Sequence, residues 1–152
     1  MLRDALFAAS GFSVGASYDE LIDRATKKKY TSDWVEIADN RTHRDYGYLA
    51  SFPGPSGNWM VIVAGTRNAA VMQIAEVATD KAQLDQLAGK AGGKGAFEAL
   101  YEVRRLGNLN VGSRLILARP LQTSGMWRSE RPRQIFPSQI PASDRLLPTV
   151  PF

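Results

Sequence analysis

The sequence predicts an α/β fold, with α+β as the alternative: a mixed β-sheet made of hairpins, two consecutive helices packed on it, and a Pro-rich C-terminal arm. Three observations carry that prediction. An apolar strand, Trp59-Met60-Val61-Ile62-Val63-Ala64, turns at Gly65 into the Ala-rich segment Asn68–Ala78. Stretches of two-residue apolar alternation, separated by turn-forming residues, lie on both sides of that unit. Six of the eight prolines stand at or after position 120, at 120, 132, 137, 141, 148 and 151. A single domain over residues 1–119 and an extended arm over residues 120–152 follow from this distribution.

Each element has its own signal. Residues Met1 to Ser17 place Ala5, Leu6, Phe7, Ala8 and Ala9 behind Arg3, a run too short and too interrupted for a signal-peptide core. Glu20–Thr31 reads as a short helix or a hairpin, and the Lys27-Lys28 turn with β-prone Tyr30 and Thr31 tips it towards the hairpin. Trp34, Val35 and Ile37 suggest a strand over residues 33–38. Tyr46–Phe52 and Trp59–Ala64 flank Pro53-Gly54-Pro55-Ser56-Gly57-Asn58, which is almost pure turn chemistry, so the two form a hairpin.

Val71, Ile74, Ala75 and Ala78 share one face of a helix. Asp80-Lys81-Ala82-Gln83 resembles a capping box opening a second helix, with Gly89 as its stop. Phe97–Arg105 and Ser113–Arg119 flank the turn-rich Gly107–Gly112 and make another hairpin. Glu98 and Glu102, four apart in a strand, lie on one face, with Arg104, Arg114 or Arg119 as partners for ordinary cross-strand surface pairs.

The proline spacing of the arm forbids a long helix or a central strand. Trp127, Ile135, Phe136 and Phe152 are apolar residues that an extended segment has reason to cover. They are the candidate contacts to a protein partner or to a second copy, simple disorder being the competing reading.

Composition narrows the function. At 152 residues, 44% of them hydrophobic, the chain is long enough for one modest core. No apolar run approaches the roughly 18 residues of a membrane span, and a cytoplasmic location is expected. The absence of cysteine removes disulfides, thiolate metal sites and cysteine nucleophiles. Residues 1–118 hold 14 Lys/Arg against 13 Asp/Glu, whereas residues 119–152 hold five Arg against Glu130 and Asp144. Basicity thus belongs to the tail, and the near-neutral body argues against a nucleic-acid partner.

One ligand site is suggested. Gly65, Thr66, Arg67 and Asn68 form the strand-to-helix turn, where backbone N–H groups and the positive helix end would meet an anionic small molecule and Arg67 would add its charge. The competing structural reading has Gly65 making the turn and Thr66 or Asn68 capping the helix. Lys90–Gly95 lacks the spacing of a phosphate-binding loop. His43, the only histidine, could act as a base beside Asp45 or Asp39, although a solvated side chain in a polar loop is the plainer reading. No nucleophile elbow and no metal-ligand spacing is present, so no catalytic residue, metal or cofactor is assigned.

Asp45-Tyr46-Gly47-Tyr48, the turn Phe52–Asn58, the strand end Ala64-Gly65-Thr66 and the strand Phe97–Val103 together resemble an uncharacterised bacterial α/β, Rossmann-like accessory module appended to signalling or DNA-binding proteins. The likeness covers residues 45–119. It implies a sensory or interaction domain and brings no catalytic residues. The function expected from the sequence is a non-enzymatic regulatory or protein-interaction domain able to bind a small anion. A small nucleotide- or phosphometabolite-handling enzyme using the Gly65–Asn68 turn is the alternative.

Overall fold

The computed structural model describes residues 6, 8–37, 40–93, 95–107 and 109–127. In chain order its elements are β1 (Phe12–Val14), β2 (Glu20–Asp23), β3 (Lys29–Thr31), β4 (Asp33–Ile37), β5 (Asn40–Pro53), β6 (Trp59–Gly65), α1 (Asn68–Thr79), α2 (Lys81–Lys90), β7 (Phe97–Leu106) and β8 (Leu109–Pro120).

Strand β5 is the axis of the molecule. One of its edges pairs with β4 along Asn40–Arg44 and then with β6 along Gly47–Pro53, and its other edge pairs with β7, which in turn pairs with β8. The short strands β1, β2 and β3 form a separate three-stranded sheet.

Every strand pair among the described residues is antiparallel, which overturns the expected α/β fold with its mixed, Rossmann-like sheet. The fold is antiparallel β with α1 and α2 packed on the large sheet, of α+β type. The error has a physical origin. The strand–helix–helix–strand path through β6, α1, α2 and β7 is a real crossover between two strands of like direction, but β5 runs between them in the opposite sense. Local periodicity identifies the helices and strands of such a unit without revealing that a third strand splits it.

Period-two alternation sends β5 side chains to two different layers. Tyr46, Tyr48, Ala50 and Phe52, with Leu100 of β7, face Leu6, Phe12, Tyr30 and Leu121. Edge-to-face rings carry that contact, with centroids 5.9 Å apart for Phe12–Tyr48 and 5.4 Å for Tyr30–Tyr46. On the opposite face Leu49, Phe97 and Ala99 pack on Ile74, Val77, Leu87 and Ala91 of the helical layer. The large sheet is thus a middle layer covered on both sides. That explains why the second half of β5, residues 46–52, reads as nearly continuous apolar sequence rather than as a clean alternation, whereas residues 40–45 are polar.

The expected hairpins over residues 20–31, 46–64 and 97–119 all form. Asp80 caps α2, accepting the Ala82 and Gln83 N–H groups at 2.9 and 3.2 Å, while Gln83 returns its amide to the Asp80 carboxylate rather than to the backbone. Helix α2 runs past Gly89 to Lys90, and the turn of the chain falls at Gly92 and Gly93, whose φ values of 100° and 136° suit glycine. No helix among the described residues is long and apolar enough to cross a membrane.

Candidate functional site

The four residues singled out in the strand-to-helix turn are brought together but divided between two concavities. Gly65 and Thr66 border an apolar pocket between the two sheets, and Thr66, Arg67 and Asn68 border a groove of about 590 Å³ shared with Ala69, Met72, Arg105 and Gly107. Neither Thr66 nor Asn68 caps α1. The N-cap is Arg67, in extended conformation and without a side-chain cap bond. The Thr66 hydroxyl is engaged elsewhere, with Ser32 Oγ and with the Tyr46 N–H at 3.0 Å. Gly65 is required by close approach, since a β-carbon there would stand 2.9 Å from the Val71 nitrogen. The Arg67 guanidinium pairs with Asp19 at 2.8 Å.

The pocket between the sheets has a volume of about 170 Å³. Leu6, Phe12, Val14, Leu21 and Ala64 give it apolar walls, and Tyr18, 90% exposed, stands at its edge. Ala64 lies opposite Tyr48 across the β5–β6 ladder, which puts both side chains on the same face.

Two hydroxyl residues that line the pocket, Ser10 and Tyr48, lead into a buried charge network. Glu98 is only 1% exposed. Its Oε2 accepts hydrogen bonds from Ser10 Oγ at 2.8 Å and Tyr48 Oη at 2.9 Å, and its Oε1 accepts from the Gly11 N–H at 3.0 Å and Arg119 Nε at 2.7 Å. Arg119 continues to Asp23 through Nη1 at 3.1 Å and lies 4.5 Å from the Phe12 ring centroid.

The electrostatics agree with that geometry. Burial, reinforced by the adjacent Glu98 carboxylate, pushes the Tyr48 hydroxyl far above the ordinary tyrosine range, so it is a proton donor across physiological pH. Burial opposes ionisation of Asp23, but the Ala25 N–H and the Arg119 charge outweigh it and hold the carboxyl below its usual value. Burial likewise opposes the charge on Arg119, and Glu98 and Asp23 raise its pKa nonetheless.

Sequence reasoning anticipated the Glu98–Arg119 and Glu102–Arg104/Arg114 pairs. It misplaced them on the surface: Glu98 and Glu102 are both buried. The available signal was the composition of Phe97–Val103, whose charged positions sit among residues that are apolar on both faces. His43 is also buried rather than solvated in a loop. It belongs to β5, with Nδ1 2.8 Å from Asp45 Oδ1 and its ring edge-on to Trp34. Asp45 is fully buried and its Oδ2 accepts from Arg105 Nε at 3.0 Å.

Of the residues expected to contact a partner, Trp127 lies on the chain's own body, its ring 6.2 Å from that of Phe52 and its indole N–H donated to the Pro53 carbonyl at 2.9 Å. Ile135, Phe136 and Phe152 lie outside the described residues. Pro120, placed at the start of the arm by sequence, is the last residue of β8 and pairs with Phe97. No group of three or more metal-ligating side chains occurs among the described residues.

No protein-family model, curated protein or solved structure matches the chain. What fold and site define is a small antiparallel α+β domain with an apolar pocket at the seam of two sheets.

Proposed function

We propose that the chain is a small-molecule-binding regulatory domain whose ligand enters the pocket between the β1–β3 sheet and the β5–β6 hairpin. One observation carries this reading: an apolar pocket whose lining includes Ser10 and Tyr48, two residues whose hydroxyls donate to the buried Glu98. Apolar walls with a few fixed polar groups are the usual composition of a binding site. The Glu98 carboxylate is already held by Arg119 and the Gly11 N–H, so it fixes the Ser10 and Tyr48 hydroxyls in place. That supports binding rather than nucleophilic catalysis.

A fragment screen read by backbone amide NMR tests the proposal. Hits should shift Phe12, Val14, Leu21, Tyr48 and Ala64 together; a screen in which nothing shifts these residues refutes it. The second reading, an anionic metabolite in the groove at the start of α1, is favoured by the convergence of Arg105 with Arg67 there. Phosphate or nucleotides should then raise the melting temperature, and Arg67→Ala should remove the rise.

A further inference from the structure

We propose that the pocket between the sheets selects a small uncharged molecule with one ring, or a short chain of equal bulk, and a single O–H or N–H donor that Tyr48 Oη accepts. The inference rests on the ligand-binding reading above and adds the chemistry of the occupant.

Size sets the first limit. The pocket's volume of about 170 Å³ is close to the roughly 150 Å³ of an apolar cavity that holds one benzene. The walls formed by Leu6, Phe12, Val14, Leu21 and Ala64 then favour a hydrocarbon body.

Proton accounting sets the polar end. Tyr48 has one hydroxyl proton, and Glu98 Oε2 at 2.9 Å is its charged acceptor. Ser10 gives its own proton to the same oxygen at 2.8 Å, while its oxygen accepts the Phe12 N–H at 3.0 Å. Tyr48 Oη also donates towards Ser10 Oγ at 3.2 Å, so both hydroxyl protons are used within this buried group and Tyr48 Oη is the oxygen with lone pairs left to offer. At the Tyr48 end of the pocket a ligand that donates is the complement.

Charge is disfavoured in either sign. Arg119 Nε, 2.7 Å from Glu98, already balances the carboxylate, so an ammonium group would leave water without gaining an unpaired anion. A carboxylate would give up its hydration to face oxygen lone pairs.

Titration of the full chain at pH 7 with phenol, toluene and benzoate tests this. Phenol should bind tighter than toluene by about fivefold, the ratio that one neutral hydrogen bond supplies, and benzoate should show no binding at the pocket. Tyr48→Phe should erase the phenol preference while toluene still binds, its fold checked by circular dichroism. The comparison on the unmodified chain stands even if that variant does not fold. Ala64→Phe, which fills the space beside Tyr48, should abolish binding of both neutral ligands. Equal affinities for phenol and toluene, benzoate as the tightest ligand, or a phenol preference that survives in folded Tyr48→Phe overturns the donor rule and leaves the pocket itself in place. Absence of any phenol or toluene binding that Ala64→Phe removes overturns the pocket as well.

Discussion

Glu98 joins three parts of the chain that are distant in sequence: the Ser10–Gly11 segment, Tyr48 of β5 and Arg119 of β8. Removing it would take the acceptor from Arg119 Nε, leaving the guanidinium paired with Asp23, and from the buried Ser10 and Tyr48 hydroxyls. Glu98→Ala is expected to lower unfolding stability by about 3–5 kcal/mol, the usual cost of breaking a buried ion pair from one side. Urea denaturation measures this, and a loss below about 1 kcal/mol would show that the network contributes only as a surface pair does.

Two neighbouring carboxylates give the stability its pH dependence. Asp23 and Glu102 are both held below their ordinary values, in each case against the opposing effect of burial, by the Ala25 N–H and Arg119 for Asp23 and by Arg104 and Arg114 for Glu102. A depressed folded pKa means that the unfolded chain takes up protons first on acidification. The stabilisation is therefore complete above the unfolded values and is lost as pH falls through the lower folded ones. Denaturation midpoints should be insensitive to these groups above about pH 5 and fall below about pH 4. A midpoint that rises on acidification over that interval would contradict the assignment. Strand periodicity revealed which arginines Glu98 and Glu102 meet, but not that Asp23 meets Arg119. Their burial was not legible, because for Glu98 the cover comes from Ser10 and Gly11, nearly the whole body of the chain away.

At the scale of elements, local rules performed well wherever the stabilising contact is itself local. The Asp80 cap of α2 is visible in four consecutive residues, and it forms. Asp80→Ala should lower the midpoint of thermal or denaturant unfolding, with α2 fraying first by amide exchange; unchanged protection in α2 would show that packing through Leu87 alone holds the helix. Where the deciding contact is tertiary, local rules failed. Thr66 looks like a helix cap and instead ties β6 to β5 and to Ser32. The need for glycine at position 65 comes from Val71, which packs back onto the turn. His43 stands in a polar run by sequence, yet it is enclosed because β4, β5 and β7 converge around it.

For the whole molecule, the pairing order was the part that local sequence could not reveal. Hairpins and helices were each recognisable, but β5 accepts β4 and β6 in tandem on one edge and β7 on the other, a choice made by which faces bury most apolar surface. The three-stranded sheet covers the aromatic face of β5 through Phe12 and Tyr30, and the apolar pocket opens at that seam, between residues 6–21 and 48–66. Neither half contains the pocket alone, so no contiguous motif marks it, and of the Gly65–Asn68 turn only Gly65 and Thr66 reach its edge.

A crystal structure of the full chain grown with phenol tests the central claim most directly. A single ring should be seated among Phe12, Leu21, Tyr48 and Ala64, with its hydroxyl within hydrogen-bond distance of Tyr48 Oη. A closed or empty seam at saturating phenol, or phenol bound only in the groove beside Arg67 and Arg105, would contradict it.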